Sequence, residues 1–230
     1  MKVNLVKYTQ KPEKIIAVAA RLCYSPVGVT ELEDELSDED VEKLVRFVIK
    51  SGHHSTVEHA NFTFAIEGVS RALTHQLVRH RVASYNQQSQ RYVKFKNNFE
   101  YITPPAIEKD KNSKEKYDSL ISSIHNLYME MLDSGIEPED ARYILPNASE
   151  TKIIVSMNAR ELLHFFTVRC CNRAQWEIRE LATRMLKLVK KVAPVVFEKA
   201  GPNCLRGSCQ EGKFTCGNPP KASDFDAESQ

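Results

Sequence analysis

Most of the chemical potential of this chain lies in one run without carboxylates. From Gly68 to Phe99 there is no Asp or Glu, although the chain holds 30 acidic residues in 230. The same run carries Arg71, Arg79, Arg81, Arg91, Lys94 and Lys96, with His75 and His80, among many Ser, Asn and Gln residues. A guanidinium presents a planar fork that matches phosphate oxygens, and neighbouring amides and hydroxyls add neutral hydrogen bonds. The run therefore suits an anionic ligand. It also fits a solvated basic face paired with acids elsewhere, such as the acidic stretch Glu31–Glu42. There is no GxxxxGK[ST] and no GxGxxG after a strand, so neither a P-loop nor a Rossmann site is supported. A phosphate would be held by side chains and helix N-termini instead, with Asn158, Ser55 and Ser70 placed at such ends.

Other chemistries are less well supported. His53, His54 and His59 cluster, but HHSTVEH is not HExxH, and residues five apart do not share a helical face. Cys204, Cys209 and Cys216 offer three thiolates, with Cys23, Cys170 or Cys171 as a fourth. Their spacings match none of the common short zinc loops, so no metal is expected and an irregular thiol-bearing tail is the reading. Ser84 and Ser89 lie near His80, yet no GxSxG elbow exists. They are expected to bind rather than attack.

These residues need elements to position them. Ser37 with Asp40 opens a helix whose apolar face is Val41, Leu44, Val45, Val48 and Ile49. A second face runs Tyr117, Leu120, Ile121, Ile124, Leu127, Tyr128, Met131 and Leu132, and Gly135 stops it. Asn158 with Glu161 caps a third helix through LLHFFTVRCC, and a fourth runs from Trp176 through Val189 toward Pro194. Residues 12–23 and 71–80 are further helices. Strands are read at Asn61–Glu67 and Lys152–Met157 from period-2 alternation, with short ones at 2–8 and 91–95. The sum is an α+β fold with more helix than strand.

Composition sets outer limits. A hydrophobic content of 42% and charged content of 27% suit one globular domain plus a tail. Gly201, Gly207, Gly212 and Gly217 crowd the last 30 residues, so a boundary is placed there: a body of 1–200 and an irregular tail of 201–230. A net charge of +2 argues against a general nucleic-acid binder. No apolar run is long enough to span a membrane, and the N-terminus lacks a signal-peptide core, so a cytoplasmic location is expected.

Arg79-His80-Arg81, seven residues and then Ser89 resemble the signature of the flavin-dependent thymidylate synthases. The fuller form RHRxxSxNxxSxR also fits, within RHRVASYNQQSQRY. GHHSTVEHANFTFAIEG, ARYILP, SMNARELLHFF and VRCCNRAQWEI resemble further blocks of that family, over roughly residues 1–200. The resemblance implies a single helix-rich α+β domain with a small, largely antiparallel sheet. It also implies FAD bound without a Rossmann motif, and a homotetramer with active sites between subunits.

The implied reaction is reductive methylation of dUMP to dTMP, with 5,10-methylenetetrahydrofolate as carbon donor and NADPH reducing the FAD. By the same resemblance, Ser55, Arg79, His80, Arg81, Gln87, Asn158, Arg160 and His164 contact FAD. Gln76, Arg79, Gln87, Gln88, Ser89, Gln90, Arg91, Arg142 and Arg169 hold dUMP. Gln87 stands where some members carry an acid. Arg169 and Ser89 make up the catalytic assignment: Arg169 stabilises charge on the uracil, and Ser89 acts chiefly by binding dUMP. Cys170 and Cys171 are read as packing residues. The competing reading is a nucleic-acid module using the basic 71–96 segment, with Tyr85, Tyr92 and Phe95 as stacking platforms.

Overall fold

A computed structural model describes residues 1–95 and 100–226. Lys96 of the basic run lies outside the described residues. The elements are β1 (Lys2–Tyr8), α1 (Pro12–Leu22), α2 (Val29–Glu35), α3 (Asp38–Ser51), β2 (Asn61–Ser70), α4 (Arg71–Leu77) and β3 (Ala83–Gln87). They continue as α5 (Pro105–Lys109), α6 (Lys111–Asp133), α7 (Pro138–Ala141), β4 (Glu150–Asn158), α8 (Ala159–Arg169) and α9 (Trp176–Val192). The fold is α+β with helix dominant, and the small sheet has the order β1-β2-β4-β3. Its register is antiparallel. Thr9 N–H donates to Asn61 O while Met1 lies against Gly68. Likewise, Thr63 Oγ1 meets Ser156 Oγ at 2.8 Å while Gly68 N–H donates to Glu150 Oε1 at 2.9 Å.

The alternating residues predicted for β2 and β4 are the ones buried: Phe62, Phe64 and Ile66, and Ile153, Val155 and Met157. One expected strand is absent. Residues 91–95 form a turn and irregular backbone. Ser89 takes the Arg91 N–H on its hydroxyl at 3.2 Å and the Val93 N–H on its carbonyl at 3.0 Å. Those bonds consume donors that a strand would offer to a neighbour. The strand in this region is β3, whose sequence ASYNQ has no apolar alternation.

The chain forms two compact units. Unit one contains Met1–Lys2, Ile66–Val78 and Asn86–Ile153, and unit two the remainder. In unit one, Val69, Leu73, Leu77, Ile121, Tyr128 and Ala141 are buried. The apolar stripe of α6 is wider than the face it buries: Leu120 and Leu127 remain 60% and 48% exposed. In unit two, α1 and α3 pack together through Ile16, Ala17, Val41, Val45 and Val48. Phe62, Phe166 and Phe197 stack edge to face, with Phe197 centred 5.5 Å from Phe62 and 5.9 Å from Phe166. Such pairs add about 1 kcal/mol each beyond the area they bury. The Glu13 carboxylate of α1 accepts the Val195 and Val196 N–H groups at 2.6 and 3.3 Å, and burial raises its pKa.

Residues 201–226 belong to unit two. Gly201 turns the chain there at φ 132°, and a Cβ would stand 2.8 Å from Leu205 Cδ1. Only glycine suits that position. Phe225 is buried and anchors the segment near its end. Among the described residues, no helix is long and apolar enough to cross a membrane.

Candidate functional site

Asn158 is the N-cap of α8, and its side chain accepts the Glu161 N–H at 2.9 Å. From that cap, Arg160, His164 and Thr167 follow at i, i+4 and i+7, which puts them on one helical face. This face lines a cavity of about 1180 Å³ in unit two. The lining also includes Lys50, His54, Glu58, Lys199 and Arg206. Ordinary small-ligand pockets hold roughly 300–1,000 Å³, so the space admits a dinucleotide. Its walls mix aliphatic groups such as Ile49, Val82, Leu163 and Val196 with cations. That chemistry fits a ligand with a flat apolar ring system and phosphates.

Three residues assigned to FAD by resemblance therefore share this cavity: Asn158, Arg160 and His164. Ser55 does not line it, although its neighbour His54 does. Ser55 heads the short 3-10 turn Thr56–His59 without a side-chain cap. Arg79 and Arg81 are exposed, without an ion pair among the described residues.

His80 lies beneath this face, 6% exposed. Its ring centre is 5.7 Å from that of His164 and 4.9 Å from that of Phe165. Its Nδ1 is 3.3 Å from Glu161 Oε1, and Arg169 Nε donates to its Nε2 at 3.0 Å. An imidazole that accepts at Nε2 is neutral and carries its proton on Nδ1. Burial, then the charges of Arg169 and His164, hold the His80 pKa down at about 4. Burial raises the Glu161 pKa and lowers that of Arg169. The result is an aligned row: the Glu161 carboxylate stands 3.3 Å from His80 Nδ1, and His80 Nε2 accepts the Arg169 Nε–H. The alternation and spacing of the sequence carry no sign of it, because Glu161 reads only as a capping residue.

Unit one collects most of the other expected residues. Gln87 Nε2 donates to Thr74 Oγ1 and Thr151 Oγ1 at 3.1 and 3.2 Å, which engages the amide in bracing β3. Gln88 pairs by backbone with Lys152, Gln90 is partly buried, and Gln76 Nε2 donates to Ala72 O at 3.3 Å. Arg91 is ion-paired with Glu139 at 2.8 Å. Arg142 Nε donates to Glu139 O at 3.0 Å. Arg71, which the site assignments omit, lies near Arg142. Burial, and then the Arg142 charge, lower its pKa, and no carboxylate ion-pairs with it among the described residues. Two guanidiniums held near each other in this way form a place for an anion. No histidine or carboxylate hydrogen-bonds to Ser89 among the described residues, so nothing there activates its hydroxyl.

Among the described residues, no acid of the Glu31–Glu42 stretch ion-pairs with the basic run. Glu39 pairs with Lys43, Glu42 with Arg46, and Asp40 with Ser37. The stacking platforms are also poorly placed for nucleic acid. Tyr85 donates its hydroxyl to His80 O at 2.7 Å, and Phe95 lies against Tyr128, leaving Tyr92 alone at 79% exposure. Among the described residues, no group of three or more His, Cys, Asp or Glu side chains is arranged to hold a metal ion. Burial, and then the neighbouring thiols Cys171, Cys209 and Cys216, raise the Cys204 pKa, so these cysteines lie within reach of one another's charge. Cys170 is buried, with its thiol pushed up to about 12, and so is inert. Arg173 contacts Phe214 and Glu211, which ties the C-terminal segment to the loop after α8.

A helix-rich α+β protein with a charged cavity and neither a P-loop nor a Rossmann motif is a narrow class. Residues 4–195 match the family model described as thymidylate synthase complementing protein. The chain is 53% identical over 218 residues to the flavin-dependent thymidylate synthase of Geobacter sulfurreducens, covering 94% of each. It is 54% identical over 233 residues to that of Clostridium tetani, covering 94% of this chain and 93% of the other. With the Pyrococcus furiosus enzyme it shares 47% identity over 219 residues, covering 92% and 90%. The chain belongs to the flavin-dependent thymidylate synthase family.

Proposed function

We propose that this chain is a methyltransferase that reductively methylates dUMP to dTMP. The carbon comes from 5,10-methylenetetrahydrofolate, and NADPH is the terminal reductant. Residues 1–200 form the catalytic body, working in a cytoplasmic homotetramer with active sites between subunits. The observation that carries the reading is the Glu161–His80–Arg169 chain, because pyrimidine methylation needs a fixed charge beside the uracil.

FAD, when bound, supplies the hydride. The unit-two cavity would hold it through Asn158, Arg160 and His164, with Ser55, Arg79, His80 and Arg81 as further contacts. The cap and first turn of α8 present N–H groups and positive dipole toward an anion. Arg71, Arg91 and Arg142 hold the dUMP phosphate, and Gln76, Gln88, Ser89 and Gln90 complete the nucleotide contacts.

Arg169 stabilises the negative charge that develops on the N3/O4 side of the uracil as C5 becomes nucleophilic. A guanidinium does this without a base, since it stays protonated. His80 remains neutral at physiological pH, so it accepts the Arg169 Nε–H and does not compete for that negative charge. Arg169 is thereby aimed before substrate arrives, which is where preorganised donors gain most of their effect.

The test is the visible spectrum of the purified full-length protein. A yellow preparation bleached by NADPH without oxygen, and reoxidised with dTMP formation when dUMP and methylenetetrahydrofolate are added, is expected. A colourless protein that takes up no added FAD would overturn the reading.

A further inference from the structure

The guanidiniums in the wall of the unit-two cavity are not equivalent. Arg46 is bound to Glu42 at 3.0 Å and Glu198 at 3.1 Å. Arg160 is bound to Glu58 at 2.5 Å. Each of those charges is largely cancelled where it sits. Arg206 reaches the same cavity from the C-terminal segment, and its surroundings are different. Its Nη1 donates to Lys199 O at 2.7 Å and Gly201 O at 3.1 Å. Its Nη2 donates to Thr167 Oγ1 at 3.1 Å and Asn203 Oδ1 at 2.8 Å. All four acceptors are neutral. Among the described residues, no carboxylate forms an ion pair with Arg206.

This arrangement fixes a full positive charge without neutralising it. Four hydrogen bonds remove the rotamer freedom of a long side chain, which is the usual entropic cost of using arginine to bind. Thr167 stands on the same face of α8 as Arg160 and His164, so the docking point lies on the cavity wall. A charge held this way attracts an anion more strongly than a paired one does. Lys199, whose carbonyl takes one of the four bonds, lines the same cavity and adds a second cation without an ion pair among the described residues.

We infer that Arg206 is a binding residue of the flavin cavity, through which the segment 201–206 brings a charge for the phosphates of the dinucleotide to the wall. This rests on the flavin reading above and assigns the segment a role in it. Removing the charge should weaken the phosphorylated ligand and spare the phosphate-free one.

The experiment compares FAD with riboflavin, each titrated by flavin fluorescence into flavin-free full-length protein. Arg206→Gln removes the charge and keeps an amide to bond Lys199 O or Thr167. Arg206→Lys keeps the charge and loses the fork. For Arg206→Gln, FAD affinity should fall roughly 10-fold or more, the scale of a charge-assisted contact, with riboflavin within about twofold of wild type. Arg206→Lys should retain most of the FAD affinity. Thermal melting of each variant checks that the fold is intact. Unchanged FAD affinity in Arg206→Gln, an equal loss for FAD and riboflavin, or an equal loss in the Gln and Lys variants would overturn the inference. Wild-type protein that binds neither flavin would overturn the flavin reading itself, and the ligand assigned to Arg206 with it.

Discussion

In unit one, Arg71 and Arg142 lie within reach of each other's charge with no carboxylate paired to Arg71 among the described residues, whereas in unit two Arg46 and Arg160 are each held by glutamates. The first arrangement is strained until an anion arrives. The second is balanced and needs no ligand to persist. This difference separates two tasks. Unpaired, partly buried guanidiniums concentrate field on one compact group, such as a phosphate monoester. A roomy cavity with apolar walls, in which Arg46 and Arg160 are already paired, suits a large ligand whose ring system contributes much of the affinity.

The comparison can be broken most forcefully at Arg169. Arg169→Ala should leave the flavin spectrum and FAD affinity near wild type while kcat falls about 100- to 1,000-fold, the scale of losing one preorganised donor. Stopped-flow reduction and turnover assays separate the two. A near-normal kcat would move the catalytic charge elsewhere.

The next effect is on stability. The folded pKa of His80 lies near 4, below its ordinary value of 6.5. As pH falls, the unfolded chain takes up that proton first. Stability from this group is thus complete above about pH 6.5 and drains away down to about pH 4, by about 3 kcal/mol in all. Glu161 acts in the opposite sense, because its raised pKa lets the folded state accept a proton early. The measurement is therefore a difference. Urea melts of wild type and His80→Gln at pH 7 and pH 4 should show wild type losing more stability between them. Parallel pH profiles would mean that His80 is not the neutral acceptor the geometry describes.

The smallest effect sharpens the contrast itself. Arg71→Ala should weaken dUMP binding about 10-fold, with FAD affinity unchanged within about twofold. Raising ionic strength should erode wild-type dUMP affinity more than that of the variant. Calorimetric titrations at two salt concentrations measure both. Equal losses for dUMP and FAD would remove the division of labour between the units.

Much of this is legible in the sequence. The caps at Ser37 and Asn158, the alternation in β2 and β4, and the carboxylate-free run all reflect local rules in which a few neighbouring residues decide the outcome. What escaped was non-local. β3 has no apolar alternation because it pairs by backbone and by Gln87 bridging two threonines. The 91–95 segment has strand-like composition, but Ser89 captures its donors. Glu161 and His80 are 81 positions apart, and no periodicity links them. Arg71 was visible as a basic residue, but its nearness to Arg142 depends on how the chain folds back. The role of Arg206 was hidden for the same reason, since the irregular composition of the tail says nothing about which wall it joins.

Glu13 also bears on how the chain comes together. Its two N–H partners lie 182 and 183 residues further along the chain. During synthesis the first helix emerges early, yet its half-buried carboxylate lacks these two donors until 182 further residues have followed. Closing so long a loop is slow and entropically unfavourable. Unit two is therefore expected to consolidate late, with its first helix waiting on the turn that follows α9, and a nascent chain truncated before Pro194 leaves that carboxylate without its two backbone donors.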